Sequence, residues 1–272
     1  MNMTPARFRR EPVSKYKKLM ASFFAVVAFS AVTPSWAQEA RTHSDVNNGT
    51  DPTRLATTAG IQLQTTDFGS GLSADLFEAY YSIPIGSEKR MALEFRLTYA
   101  SGPVDTSFGL GDASLKFTHV LDVNAKRGIA YTAELSFNTA DRADLGAGQT
   151  VLELSGFYAK FLKNGAIFAP ALVQTFGLGD EDPGRNPINT TTVDFYYVPK
   201  LANSNLFMTF DPALVYDWEW DKGFGSLSIT FGVLTGKAFG GDSQIFIKPQ
   251  VLAGANRPAD WSLQVGYKVI GI

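Results

Sequence analysis

The chain has no cysteine, only two histidines, and beyond its first forty residues no apolar stretch long enough to cross a bilayer as a helix. Without thiols, neither a disulfide framework nor a thiolate metal site is available. Without a run of about 18 uncharged apolar residues, a helical membrane span is excluded. Basic charge is also short once the N-terminus is set aside. Residues 1–37 hold six of the 24 basic residues and one of the 26 acidic ones, Glu11, so the remainder has 18 against 25 and a net charge near −7. An acidic chain with no basic cluster binds nucleic acid poorly, and no such partner is expected.

The N-terminus itself has a recognisable order. Arg7, Arg9, Arg10, Lys15, Lys17 and Lys18 precede the apolar run LMASFFAVVAFSAV, Leu19 to Val32, and then Thr33-Pro34-Ser35-Trp36-Ala37. Charge, apolar core and small residues in this sequence make a secretory signal peptide, with the cut expected before Gln38. The apolar run is about 14 residues, short of the ~20 that a spanning anchor needs. The chain therefore divides into a leader, 1–37, a tail in the periplasm or lumen, 38–56, and a structured part, 57–272.

What fills that part is alternation. In MALEFRLTYA, Met91, Leu93, Phe95, Leu97 and Tyr99 share one face of an extended strand, and Glu94, Arg96 and Thr98 the other. The same period of two runs through GIAYTAELSFN, TTTVDFYYVPKL, GSLSITFGV and WSLQVGYKV. Twelve such pieces are predicted: 57–66, 75–85, 91–100, 111–121, 128–138, 150–161, 166–176, 190–200, 205–216, 225–235, 243–253 and 261–270. An exported chain that enters a membrane without spanning helices must close its sheet, since an open edge in hydrocarbon leaves amides unsatisfied. The expected fold is all-β, an antiparallel up-and-down transmembrane β-barrel of about 12 strands in the outer membrane, with lipid around it and a small-molecule solute as its other partner.

The connections supply a second test. With both termini periplasmic, the segments 86–90, 122–127, 162–165, 201–205 and 236–242 should be short turns, and 101–110, 139–149 and 177–189 longer outer loops. The alternation weakens at 217–224 and fails at 255–260. Tyr80, Tyr81, Tyr99, Tyr131, Tyr158, Tyr197, Trp218, Trp220 and Trp261 fall near predicted strand ends and are expected to form two interfacial girdles. Pro170, Pro212 and Pro249 fall inside predicted strands, where each removes a ladder donor; bulges are the expected way to absorb them.

At FGLGDASLKF, Phe108 to Phe117, a glycine-rich loop ending in Gly-Asp runs straight into an alternating strand. The segment resembles the G-x-GD-x-x-x-K stretch of the outer-membrane transporters grouped with the MetA pathway of phenol degradation. A second GLGD at 177–180 and the terminal LQVGYKV are similar too. The resemblance implies a porin-like β-barrel found among aromatic-degradation functions. The chain departs from the usual outer-membrane pattern by ending Val269-Ile-Gly-Ile272 rather than in an aromatic residue, which bears on the register of its last strand. Glycine can supply positive φ and Asp can cap local amides, so Gly109, Gly111 and Asp112 have a structural reading of their own.

Chemistry-bearing residues are few. His43 lies in the tail. The register of Ala113, Leu115 and Phe117 puts His119 on the lipid side, away from any role as a general base. Asp180, Glu181 and Asp182 form a compact acidic loop cluster without calcium-loop spacing. No enzyme activity and no cofactor are expected. The inward phase carries both charge signs, and Glu94, Arg96, Lys116, Glu134, Asp194, Asp211 and Lys248 are the candidate solute path, with Asp112, Glu153, Lys200 and Lys268 also in polar phase. The predicted function is a monomeric channel for passive uptake of small, aromatic or weakly apolar solutes. The alternative is a structural or adhesive barrel whose lumen is closed by its charges and by the tail.

Overall fold

The computed structural model describes residues 48–272; the leader and the tail up to Asn47, including His43, lie outside the described residues. Thirteen strands follow one another: β1 Thr58–Gly69, β2 Leu72–Ile85, β3 Met91–Ser101, β4 Phe108–Leu110, β5 Ser114–Val123, β6 Arg127–Ser136, β7 Thr150–Phe161, β8 Ile167–Leu178, β9 Asn189–Val198, β10 Leu206–Asp217, β11 Lys222–Ala238, β12 Gly241–Ala253 and β13 Trp261–Ile270. All pairings are antiparallel, mostly between chain neighbours, and β1 pairs with β13 from Thr58↔Ile270 to Asp67↔Trp261. That last pairing closes the sheet, so the aliphatic end of the chain sits in full register. β4 and β5 are two pieces of one stave. Both pair with β3, as Tyr99↔Leu110 and Met91↔His119, with the register shifted by one across Gly111–Ala113. The barrel therefore has twelve staves.

The two faces differ as the alternation requires. Leu93, Phe95, Leu97 and Tyr99 are 39%, 47%, 50% and 45% exposed on the outside, while Glu94, Arg96 and Thr98 between them are half-buried within. Ile61, Leu63, Ile245, Val251 and Val265 continue the apolar skin around the closure. Such side chains turned outward from a closed sheet match a hydrocarbon surround, and no second layer covers them among the described residues. His119 faces outward as expected; its cross-strand neighbours are Met91 and Tyr131, and its ring packs 5.5 Å from that of Tyr131.

Several expectations are corrected. The first connection is only Ser70-Gly71, with φ of 57° and 78°, the left-handed pair that a two-residue hairpin turn needs. Long connections are confined to one arc of the loop end: 137–149 and 179–188 are long, whereas 70–71, 218–221 and 254–260 are short, and the expected long loop after β3 is only 102–107 because β4 takes up its second half. Tyr80 does not belong to a girdle. It points inward over Gly60, where a β-carbon would lie 2.3 Å from its ring. The irregularities in register lie at Asp67/Gly69, Val120/Asp122 and Leu234/Gly236, so the bulges are not at the three prolines.

Candidate functional site

Cross-strand pairing sorts the inward charges into two groups. Glu94 of β3 is opposite Lys116 of β5, Lys116 opposite Glu134 of β6, and Glu134 opposite Glu153 of β7. Residues directly opposite on antiparallel strands share a face at about 5 Å, so these four make one charged rung. Arg96 joins from the next inward position. Its Nε and Nη2 donate to Glu94 Oε1 at 2.8 and 2.6 Å, and it lies 3.9 Å from both Glu78 and Glu134. Lys116 Nζ is 4.0 Å from Glu134, whose Oε1 also accepts from Ser114 Oγ at 2.7 Å. Gln62 donates to Glu78 at 2.7 Å. The forked guanidinium reaches three carboxylates at once, which a lysine could not do. Four carboxylates against two cations leave this wall negative.

Asp194 of β9, Asp211 of β10 and Lys248 of β12 form the second group, with Lys248 Nζ 3.7 Å from Asp211 Oδ2. They line a cavity of about 330 Å³ together with Thr192, Ser226 and Ser228. The Oδ1 atoms of both aspartates are buried and accept no hydrogen bond. All seven residues proposed from the sequence thus face the lumen, in one cluster of four and another of three.

Toward the end that carries the termini, aromatic rings point into the bore. Tyr80 lies over Gly60, Phe207 over Gly232 and Phe246 over Gly266; a β-carbon on these glycines would come within 2.3, 2.0 and 2.3 Å of the ring. Lys268 Nζ sits 6.0 and 5.7 Å from the Phe207 and Phe246 ring centres. The described part of the tail crosses this same level. The carbonyl of Asn48 accepts from Gln244 Nε2 of β12 at 3.1 Å, that of Thr50 accepts from Tyr196 Oη of β9 at 3.3 Å, and Thr53 packs on Gly128 of β6. β12 and β6 stand opposite each other in a ring of twelve, so residues 48–53 span the bore. Asn48 and Asp51 stiffen the segment by accepting from the backbone amides and hydroxyls of Thr50 and Thr53.

At the loop end, the two GLGD motifs grip one loop. A β-carbon on Gly109 would lie 2.7 Å from Leu145 Cδ1, and one on Gly177 would lie 1.7 Å from Gln149 Oε1, so each motif leaves room for a side chain from the 137–149 connection. Asp112 does not line the path as a free charge. Its Oδ1 accepts from the amides of Thr139 and Ala140 at 3.0 and 3.1 Å, and its Oδ2 from Ala147 at 2.7 Å. Asp182 belongs to the same lock, its amide donating to the Gly148 carbonyl at 2.8 Å and its Oδ1 accepting from Asn138. Arg142 ties the lock to Asp105, Ser107 and Asp144. The hydrogen bond from Ser107 holds the Asp105 carboxyl below its ordinary range, and that from Arg142 does the same for Asp144.

Sequence reasoning missed Glu78 and the inward rings of Tyr80, Phe207 and Phe246. The signal was there in the glycines. Gly60, Gly232 and Gly266 interrupt the polar phase of their strands, and each lies opposite an aromatic residue in the observed register.

No protein-family model matches the chain, and no curated protein matches it. Solved structures do. The COG4313 outer membrane channel from Pseudomonas putida F1 is similar with a TM-score of 0.63 at 15% identity, over 83% of this chain and all of that one. The KdgM porin has a TM-score of 0.54 at 8% identity over 78% of this chain and 98% of that one, and the NanC porin 0.53 at 11% over 79% and 98%. At these identities the likeness concerns architecture: the chain has the closed, twelve-stave antiparallel fold of outer-membrane channels.

Proposed function

We propose that the protein is a monomeric channel of the Gram-negative outer membrane, exported by a cleaved leader, that lets small solutes pass down their gradient. Its termini and short turns face the periplasm and its long loops the outside. The observation that carries this reading is the contrast between an apolar outer skin and a bore lined by Glu94, Arg96, Lys116, Glu134, Asp194, Asp211 and Lys248. Ionised groups kept at such density along a continuous interior are hydrated, and rings of charge tune which solutes enter. The rings of Tyr80, Phe207 and Phe246 favour compounds with a flat apolar face. That agrees with the resemblance of FGLGDASLKF to phenol-degradation transporters and makes small aromatic compounds the candidate solutes.

One observation favours the second reading, a closed structural barrel: residues 48–53 cross the bore at its terminal end. Conductance in planar bilayers separates the two. The channel reading expects discrete conductance steps from the purified protein, larger when residues 48–56 are deleted. Verified insertion without current in either form would leave the closed barrel standing.

A further inference from the structure

Resting on the channel reading above, we propose that the bore prefers cations, and that the cavity at Asp194 and Asp211 is a binding step for small solutes carrying a protonated nitrogen. Charge count is the first support. The wall around Arg96 and Lys116 sets four carboxylates against two cations, and the cavity sets two carboxylates against Lys248 alone. Even with Lys268 at the ring level, the lining keeps an excess of acid, and the low-dielectric barrel wall focuses that field into the bore.

Chemistry in the cavity is the second. Lys248 engages Asp211 through Oδ2 only, and the Oδ1 atoms of Asp211 and Asp194 are buried without a donor. A buried acceptor with no donor is unfavourable, so the cavity calls for N–H or O–H groups. Water can supply these, but an ammonium or guanidinium group brings several donors together with the opposite charge. Thr192, Ser226 and Ser228 supply hydroxyls for the rest of the solute. An anion entering the same 330 Å³ would face both carboxylates.

Position is the third. The interlocked loops stand on β3 to β9, whereas the cavity belongs to β9 through β12, beneath the short connections 218–221 and 254–260. Of the two inward charged groups, it is the one on the staves that carry these short connections.

The test is the reversal potential of the full-length protein in planar bilayers under a KCl gradient, followed by titration with putrescine as the cationic probe. Cation preference and block by putrescine are expected. Asp194→Asn/Asp211→Asn should lower the K⁺/Cl⁻ permeability ratio about fivefold for each unit charge removed, the effect of a unit charge at about 4 Å through water. Lys248→Gln should move the ratio the other way, so the proposal stays open to refutation should the double variant fail to fold. Conductance with anion preference, or a ratio that neither variant moves, overturns the cation proposal and leaves the channel. Verified insertion with no current overturns the channel reading, and this proposal with it.

Discussion

Replacing Asp112 tests how the glycine-rich motif acts. Asp112→Ala removes the acceptor for three backbone amides, those of Thr139, Ala140 and Ala147, bound at 3.0, 3.1 and 2.7 Å. Hydrogen bonds to a charged acceptor contribute about 1.5–3 kcal/mol each when buried, and at a wet loop end about 1 kcal/mol each is the better figure, for a total near 3 kcal/mol. At 1.4 kcal/mol per decade, opening of the 137–149 loop becomes about 100-fold more frequent. Hydrogen exchange on peptides from this loop reads that factor directly, while strands β7 to β13 should exchange as before. Asp112→Asn gives a graded outcome, because its amide oxygen can still accept from Thr139 and Ala140 but its nitrogen cannot accept from Ala147. Unchanged exchange in Asp112→Ala would refute the clasp. In bilayers, the released loop should add flicker to the open current.

Arg96→Met should destabilise the barrel by about 3 kcal/mol in urea unfolding, since it leaves four carboxylates with Lys116 alone. Arg96→Met/Glu94→Gln should lose less than the two single losses combined, and simple additivity would deny the coupling. Gly232→Val places a β-carbon 2.0 Å from Phe207 Cζ and should cost about 1–3 kcal/mol, with recovery in Gly232→Val/Phe207→Ala. Acid should loosen the loop lock. Asp105 and Asp144 titrate below their ordinary range in the folded protein, so their stabilisation is present above the unfolded value of about 3.9 and is lost as pH falls through the lower folded value. The protection of loop 102–107, its exchange rate relative to the intrinsic rate at each pH, should therefore be the same at pH 7 and pH 5 but lower near pH 3, and a loss already present by pH 5 would contradict the assignment.

The barrel was legible because period-two alternation is written in each strand separately. Leu93, Phe95 and Leu97 against Glu94 and Arg96 need no knowledge of the neighbouring stave. The seven charged residues were legible for the same reason, each lying in a polar phase. Their sorting into two clusters was not. It depends on the register between neighbouring strands, such as the pairing that sets Glu134 opposite Glu153 across the connection 137–149, which turn residues do not disclose. The ring layer was hidden more deeply, since Tyr80 reads as a girdle residue until its pairing with Gly60 is known. Nor could the covered arc be read from loop length. The lock depends on where Gly109 and Gly177 leave space for Leu145 and Gln149.

The prolines show how a closed sheet accommodates what it should reject. On β8, pairing with β7 stops at Phe157↔Ala171 and resumes at Lys160↔Phe168, on either side of Pro170. On β10, pairing with β9 skips from Ala213↔Asp194 to Phe210↔Tyr197 around Pro212, and on β12, pairing with β11 skips from Ser228↔Gln250 to Phe231↔Ile247 around Pro249. In each case the register is the same on both sides of the gap, so nothing has been inserted. Each proline keeps an unbroken ladder on its other side, through Phe195, Leu227 and Leu263. The imide nitrogen therefore faces a single neighbour, and the loss is confined to one seam rather than to a strand. Two of these seams flank the β10–β11 hairpin, at the residues next to Asp211 and Lys248. The missing backbone donors at Pro212 and Pro249 thus fall beside residues that line a polar cavity on the inner side of the wall, where a backbone group left without its ladder partner can be met by water rather than by hydrocarbon.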